Sequence, residues 1–120
     1  MGEEIKKESF NFAVRIVNMV KFLQENRKEY ILTKQVIRSG TSIGANIREA
    51  YNGQSDADFV HKMSISQKEC SETLYWLELL YATDYLEEKA YQSIHSEADE
   101  LYKIITSIIL TKKKNMKKQP

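Results

Sequence analysis

Apolar residues recur at steps of three and four through four long stretches of this chain, and little in the sequence interrupts them. The 120 residues include one proline and four glycines, fewer than the turns of a strand-rich fold require. The stretches cover roughly residues 8–26, 29–52, 56–83 and 87–113, and each has the period of an amphipathic helix. Connections of about 3–6 residues force neighbouring helices to run antiparallel. We therefore predict an all-α fold, an antiparallel up-down four-helix bundle.

The third predicted helix has a capping residue at its start. Ser55 precedes the helix and is followed by Asp58, so its side-chain oxygen is expected to cap the first free N–H groups of that helix.

Each predicted helix has one stripe of residues that we expect in the core. The core stripes consist of Phe12, Ile16, Met19, Val20 and Leu23; Leu32, Val36, Ser39, Ile43, Ile47 and Ala50; Phe59, Met63, Cys70, Leu74, Leu77 and Tyr81; and Tyr91, Ile94, Ala98, Leu101, Ile105 and Ile108.

Two glycines stand four residues apart in the segment RSGTSIGANIREA, at Gly40 and Gly44. A P-loop requires GxxxxGK followed by Ser or Thr after a strand, and here no lysine follows the second glycine and no strand precedes the first. The helical period runs through the segment without a break. Because each glycine costs a helix about 1 kcal/mol relative to alanine, we interpret the pair as a site where another backbone comes close.

Two of the predicted helices carry more apolar surface than one core stripe. A second strip lies beside the core stripe of the second helix, although a helix of a monomeric bundle needs only one apolar face. It consists of Ile37, Gly40, Gly44 and Tyr51. On the third helix, further apolar residues lie opposite the core stripe, among them the single tryptophan, a residue type enriched at interface hot spots. The alternative is ordinary surface exposure. The predicted oligomer interface is Ile37, Gly40, Gly44, Ile65, Trp76 and Leu79.

A polar strip follows the other flank of the second predicted helix. Its residues recur at helical steps of three and four, and we predict a polar network of Arg38, Asn46 and Glu49 with Glu72 of the third helix. One interpretation is a ligand site at a subunit boundary. The other, which we favour, is a set of hydrogen bonds and charges that fixes the register of helices or subunits.

Catalytic, metal and cofactor sites are not predicted. A di-iron bundle requires two Glu-x-x-His motifs, whereas His61 follows Asp58 and His95 follows Gln92 at that spacing. We interpret both histidines as surface residues. Cys70 falls on a core stripe, without the base and the electropositive setting that a nucleophilic thiol requires.

Positive charge is concentrated at the C-terminus, where residues 112–120 read KKKNMKKQP. These five lysines leave 13 of the 18 basic residues against 17 acidic ones in residues 1–111, a formal charge of −4. We divide the chain into a bundle domain, residues 1–111, and a lysine-rich tail, residues 112–120. The tail either binds nucleic acid through its phosphates or is simply solvated. Its predicted nucleic-acid-binding residues are Lys112, Lys113, Lys114, Lys117 and Lys118.

The sequence also constrains the compartment. A single cysteine excludes an internal disulfide and fits a reducing environment. The N-terminal segment MGEEIKKESF lacks the apolar core of a signal peptide, and the longest apolar run, near IITSIIL, is far shorter than the ~20 residues that span a bilayer. We expect a cytoplasmic protein without a membrane partner.

The segment RSGTSIGANIREA, with Gln35 upstream and CSETLYWLELL downstream, resembles the 23S ribosomal RNA intervening-sequence protein family over about residues 10–110. Its most specific part is SIGANIxE, and Arg38, Asn46 and Glu49 match the family pattern. The chain lacks the family's proline before the second helix and reads Glu-Ala where many members read Glu-Gly.

The resemblance implies four-helix bundles assembled in a homopentameric ring, with no established enzymatic activity. A related branch comprises accessory proteins of diversity-generating retroelements, which are basic pentameric barrels that bind nucleic acid and partner a reverse transcriptase. We therefore expect a non-enzymatic homo-oligomer without cofactors, most simply a pentamer, that binds RNA or DNA without sequence specificity as an accessory to a larger enzyme. The alternative is a protein-interaction scaffold that never contacts nucleic acid.

Overall fold

The structure, a computed structural model, describes residues 1–118, which form four helices joined by connections of four, four and five residues. The helices are α1 (Glu3–Arg27), α2 (Leu32–Tyr51), α3 (Asp56–Ala82) and α4 (Glu88–Lys117). Each helix packs against the next, and the molecule is 57 Å long and 21 Å across. The predicted all-α, up-down four-helix bundle is confirmed.

Two helices are longer than the apolar pattern predicted, and charged residues account for both extensions. α1 begins at Glu3, where Glu3 and Glu4 complement the positive end of the helix dipole and Ile5 enters the core. α4 continues to Lys117, with basic residues in its last turn that complement the negative end. Since both extensions are mostly polar, apolar periodicity alone did not detect them.

The start of α2 is fixed by a carboxylate that lies outside the helix. Glu29 accepts hydrogen bonds from the backbone N–H groups of Thr33 at 2.8 Å, Leu32 at 3.1 Å and Ile31 at 3.2 Å. Burial by itself would raise the pKa of Glu29, but these hydrogen bonds outweigh it and lower the pKa from its usual value of 4.5. Glu29 therefore caps α2 as an anion, and the helix begins three residues later than predicted.

The predicted cap of α3 is confirmed. Ser55 has an extended backbone, and its Oγ accepts a hydrogen bond from the backbone N–H of Asp58 at 3.1 Å. Asp56 and Asp58 in the first turn add negative charge at the positive end of the helix. The sequence signal was local and specific, which explains why the predicted start of α3 coincides with the observed one.

The core lies where the apolar stripes predicted it, with differences at its margin. Most predicted core residues are buried, including Ser39 and Cys70. The predicted core residues that are only half-buried are Met19, Leu32, Phe59, Leu74, Tyr81, Tyr91 and Ile108. Buried residues that were not predicted are Ile5, Ser9, Glu29, Thr33, Ser66, Thr73, Leu80 and Ile109.

Gly40 and Gly44 mark the closest approach between α1 and α2. A Cβ atom at Gly40 would lie 2.9 Å from Ile16 Cγ1, and a Cβ atom at Gly44 would lie 3.1 Å from Ser9 Oγ. Both glycines are buried within the single chain. Both glycines are therefore close-packing positions against α1, but only in part as interpreted: the neighbour of Gly40 is a side chain, and backbone comes near only at Gly44, where the carbonyl carbon of Ser9 would lie 3.5 Å from the Cβ.

Buried hydroxyl groups join α2 to α3. Ser66 Oγ donates to the carbonyl of Ile43 at 2.8 Å, and Thr73 Oγ1 lies 2.9 Å from Ser39 Oγ. All the buried side-chain oxygens and nitrogens in the described residues have hydrogen-bond partners. α1 and α4 contact each other much less than the other neighbouring helices do, so the bundle is held by the contacts between consecutive helices, of which those between α2 and α3 are the most extensive.

Candidate nucleic-acid interface

The lysine segment is the C-terminal end of α4 rather than a separate tail. The helix passes residue 111 without a break and ends at Lys117, so the predicted division between residues 111 and 112 falls inside a helix. Gln119 and Pro120, which belong to the predicted tail, lie outside the described residues. The helical backbone holds the lysines in a fixed order around α4, which a flexible tail would not do.

Lys112 differs from the other lysines of this segment because it belongs to the bundle. Its Nζ lies 3.0 Å from Asp56 Oδ1 and 5.1 Å from the ring centroid of Phe59. The side chain is half-buried. Lys112 thus links α4 to the start of α3 through an ion pair and a cation–π contact. The prediction that Lys112 binds nucleic acid therefore has less structural support than the same prediction for the neighbouring lysines.

The remaining four lysines are exposed, and none forms an ion pair with the residues that the structure describes. Lys112 lies level with Asp56, the first residue of α3, so the following turn and a half of α4 extends about 8 Å beyond α3 at 1.5 Å per residue. We call these four residues the basic end: Lys113, Lys114, Lys117 and Lys118.

Around Arg38 the structure has a polar cluster that contains two of the four predicted residues, Arg38 and Glu72, and two that were not predicted as part of it, Glu69 and Trp76. Arg38 forms ion pairs with Glu72 and with Glu69, the latter at 3.1 Å. Trp76 Nε1 donates to the same Glu72 oxygen at 3.0 Å. The cluster joins α2 to α3, which supports the interpretation that it fixes helix register.

The other two predicted members of the network lie apart from it. Asn46 Nδ2 donates to the carbonyl of Ser42, one turn earlier in its own helix, at 2.8 Å. Glu49 pairs with Lys62 of α3 at 3.1 Å. Two of these contacts, Arg38 with Glu72 and Glu49 with Lys62, cross the α2–α3 seam, whereas the Asn46 contact stays within α2. The four predicted residues therefore do not converge on one site.

The structure places the six predicted interface residues differently from the sequence interpretation. Gly40 and Gly44 are buried against α1 and present no outer surface. Ile37 and Trp76 pack partly against the core of the chain, and Ile65 and Leu79 are half-buried. The expectation of three outward apolar residues on α3 overestimated their exposure, because Trp76 lies along the seam with α2.

Several large apolar side chains that the sequence interpretation did not single out are exposed. On α1, Phe10 is 53 % and Val14 44 % exposed, and on α3, Tyr75 is 57 % exposed. Phe10 and Val14 are four residues apart, so they share one face of α1. This four-residue spacing outside the core stripe is the sequence signal from which an exposed apolar pair could have been predicted. A cluster of this kind indicates a contact surface more strongly than isolated residues do.

The cysteine and the two histidines, which were considered for catalysis or metal binding, lie in surroundings typical of structural and surface residues. Cys70 is fully buried, as its position on a core stripe predicted, and its Sγ lies 3.2 Å from the carbonyl of Ala98. Burial, with a smaller contribution from Asp99, raises the pKa of its thiol to about 12. His61 is exposed, and His95 Nε2 lies 3.0 Å from Glu78 Oε2. Within residues 1–118, no three potential metal ligands lie close enough to hold an ion.

The fold and the basic end together define an all-helical bundle protein with concentrated positive charge at one end. The family model of the 23S rRNA-intervening sequence protein matches residues 3–107, so the chain belongs to that family. The matched range ends before the basic end begins. Among the curated proteins, none matches the sequence.

A solved structure from Bacteroides thetaiotaomicron is similar over nearly all of its length. It is described as a protein with unknown function from the S23 ribosomal protein family, is 53 % identical in sequence, and superposes with a TM-score of 0.86. The match covers 88 % of this chain and 97 % of that one. This similarity supports the bundle fold. In residues 1–118 of our chain, no helix has the length and apolarity needed to cross a membrane.

Proposed function

We propose that this protein is a non-enzymatic, homo-oligomeric accessory protein that binds RNA or DNA through the basic end of α4, without sequence specificity. The observation that carries the proposal is the set of four exposed lysines at the helical end of α4, none of which forms an ion pair within residues 1–118. Lysine charges that are not neutralised within the protein can replace the counterions of a phosphate backbone. Phosphate contacts fix position but carry no sequence information.

The charge of the rest of the molecule directs this binding to one end. Residues 1–111 carry a formal charge of −4, so the body of the bundle repels a polyanion. The basic end extends beyond α3, away from most of those carboxylates. A nucleic acid is therefore attracted to the end of the molecule and kept away from its sides.

Homo-oligomerisation, most simply as a pentamer, would bring several basic ends together. One cluster of four lysines binds weakly, whereas several clusters on one assembly raise the overall affinity through effective concentration. The exposed apolar residues Phe10, Val14 and Tyr75 lie on two different helices, as the head-to-tail contacts of a closed ring require. A larger nucleic-acid enzyme, such as a reverse transcriptase, is the partner class that an accessory role of this kind fits.

The proposal is tested by replacing all four lysines of the basic end with glutamine and measuring affinity for RNA and DNA by fluorescence anisotropy at about 50 mM salt. We expect the full-length protein to bind and the variant to lose at least ten-fold in affinity. The matched control replaces four other exposed lysines, Lys21, Lys34, Lys68 and Lys89, and so changes the net charge equally. Equal losses in the two variants would show that only total charge matters and would refute the assignment to α4.

The exposed apolar residues also favour a second function, a scaffold that recruits another protein. In that case the full-length protein does not bind nucleic acid at about 50 mM salt. Substitution of Phe10 or Tyr75 then abolishes capture of the partner, while substitution of the basic end does not.

A further inference from the structure

A cleft of about 570 Å³ opens beside the basic end, between the α2–α3 connection and α4. Tyr51 and Phe59 form an aromatic wall, with ring centroids 5.0 Å apart in an edge-to-face arrangement. Ile108 of α4 also lines the cleft. This volume lies within the range of pockets that hold small ligands, about 300–1,000 Å³. Lys6 Nζ lies 5.1 Å from the ring centroid of Tyr51, as Lys112 Nζ does from that of Phe59, so the wall combines apolar ring surface with two cations.

The polar residues of the cleft have side chains that are free to bind a ligand. Gln54, Thr111 and Asn115 line it, and their side chains make no hydrogen bond with the described part of the chain. The carboxylate that lines the cleft, Asp56, is paired with Lys112. The cleft thus presents amide and hydroxyl groups beside an aromatic wall, while its negative charge is neutralised.

Two lysines of the basic end lie on α4 just beyond the residues that line the cleft. Lys114 and Lys118 follow Thr111 by three and seven residues, so all three lie along one side of the helix. Lys113 and Lys117 lie further round α4, where they line a separate depression together with Lys114. Phosphate groups held by Lys114 and Lys118 would therefore place the attached nucleoside next to the cleft.

We propose that this cleft holds an unstacked base of a single-stranded nucleic acid whose phosphates contact Lys114 and Lys118, an inference that rests on the proposed function and deepens it. Positive charge along a backbone path and an aromatic surface for the bases are the two elements that sequence-tolerant single-strand binding requires. The bases of a duplex are stacked and paired inside the helix, so the cleft discriminates in favour of single strands.

The test compares two single strands of about 15 nucleotides, within the size range of single-strand sites, that carry the same phosphates: oligothymidine and an abasic strand. Full-length protein should bind the thymidine strand about ten-fold more tightly, the effect of one stacked base. Phe59→Leu, which keeps an apolar side chain but removes the ring, should abolish that difference. Comparison of the affinities for oligouridine and oligothymidine shows whether the protein prefers RNA or DNA. Circular dichroism verifies that the variant is folded.

Each outcome bears on a different claim. Equal binding of the two strands by the unchanged protein would overturn the base cleft but leave the phosphate-binding function standing. A preference that persists in Phe59→Leu would also overturn it, because the base would be bound elsewhere. If neither strand binds, the proposed function fails, and the inference fails with it.

A second pair of variants tests the cleft without altering a packed ring. Lys114→Gln with Lys118→Gln removes two charges from the side of α4 that carries Thr111, and Lys113→Gln with Lys117→Gln removes two from further round the helix. We expect the first pair to reduce the preference for the thymidine strand over the abasic strand by several-fold more than the second. Equal reductions would overturn the proposed path of the strand.

Discussion

At the residue scale, single atoms decide how closely α1 approaches α2 and where α2 begins. A Cβ atom at position 40 would meet the side chain of Ile16, so glycine is the residue that fits there without a shift of Ile16. Glu29 supplies the acceptor oxygens that the first N–H groups of α2 lack. Both features are small in area, yet each is coupled to a buried neighbour and therefore has a measurable effect on stability.

Gly40→Ala is expected to lower the free energy of unfolding by about 1 kcal/mol. Alanine gains about 1 kcal/mol in helix propensity, but the overpacking against fully buried, β-branched Ile16 costs about 1–3 kcal/mol. The measurement is urea denaturation. Gly44→Ala is the matched control: its Cβ would lie 3.1 Å from Ser9 Oγ, a less crowded position that a small shift relieves, so its effect is expected within about 0.5 kcal/mol of zero. Clear stabilisation by Gly40→Ala would contradict the close-packing account.

Glu29→Gln is expected to lower stability at pH 7 by about 1 kcal/mol, a usual value for a lost cap. The pKa of Glu29 is lowered in the folded state, so its contribution is fully present above the unfolded value near 4.5 and is lost as pH falls through the lower, folded pKa.

The measurement is unfolding as a function of pH. The wild-type protein should lose its advantage over Glu29→Gln as the pH falls from about 5 towards 3. Glu25→Gln, at an exposed position of α1, controls for the loss of a carboxylate in the same part of the chain. A constant difference between wild type and Glu29→Gln at every pH would show that the anion is not the capping species.

At the element scale, apolar periodicity was sufficient to predict four helices and most core residues, because burial of one face dominates the packing of amphipathic helices. It could not predict the charged ends of α1 and α4, which depend on helix propensity and the helix dipole. It also missed the buried hydroxyls Ser66 and Thr73, since a hydroxyl is buried only when a partner in another helix satisfies it.

The candidate site was less predictable than the fold for the same kind of reason. The lysine cluster is visible in composition. Its division into one lysine paired within the bundle and four that form no ion pair in residues 1–118 depends on Asp56, which is distant in sequence. The orientation of Trp76 depends on its hydrogen bond with Glu72 along the α2–α3 seam. A helical wheel places a side chain on a face and does not show which neighbouring helix covers it.

The ion-pair cluster on the α2–α3 seam is expected to affect stability more than an isolated surface pair. Arg38→Gln leaves Glu69 and Glu72, which are only 18 % and 33 % exposed, close together without their shared cation. We expect a loss of about 1 kcal/mol, at the upper end for partly exposed pairs, measured by urea denaturation at low salt. Lys62→Gln, which breaks the single pair with Glu49, serves as the control, and an equal loss there would contradict the special role of the cluster.

At the scale of the whole molecule, the bundle is polarised in both charge and apolar exposure. Its body is acidic, its α4 end is basic, and exposed apolar residues lie on α1, α3 and α4 and in the α1–α2 connection. This combination fits an assembly that holds several basic ends on one side and uses its apolar faces for contacts between subunits. Substitution of the basic end tests nucleic-acid binding and leaves the exposed apolar residues unchanged. Substitution of an exposed apolar residue tests assembly and leaves the lysines unchanged.

Phe10→Asp is expected to dissociate the proposed homo-oligomer, because a charge buried at a subunit contact costs several kcal/mol. Native mass spectrometry at micromolar concentration measures the state. Lys7→Asp, an exposed change nearby on α1, controls for a general effect of new negative charge. A monomeric wild-type protein under these conditions would contradict the oligomer proposal.

The central claim, binding of nucleic acid by the basic end, is tested most directly by the salt dependence of affinity. On a single strand, log K falls by about 0.7 per log unit of salt for each phosphate neutralised. Replacing Lys113, Lys114, Lys117 and Lys118 with glutamine should therefore reduce the slope by up to about 3 per bound subunit. A slope that is the same in the variant and the wild type would contradict the account, because the four lysines would then make no phosphate contacts.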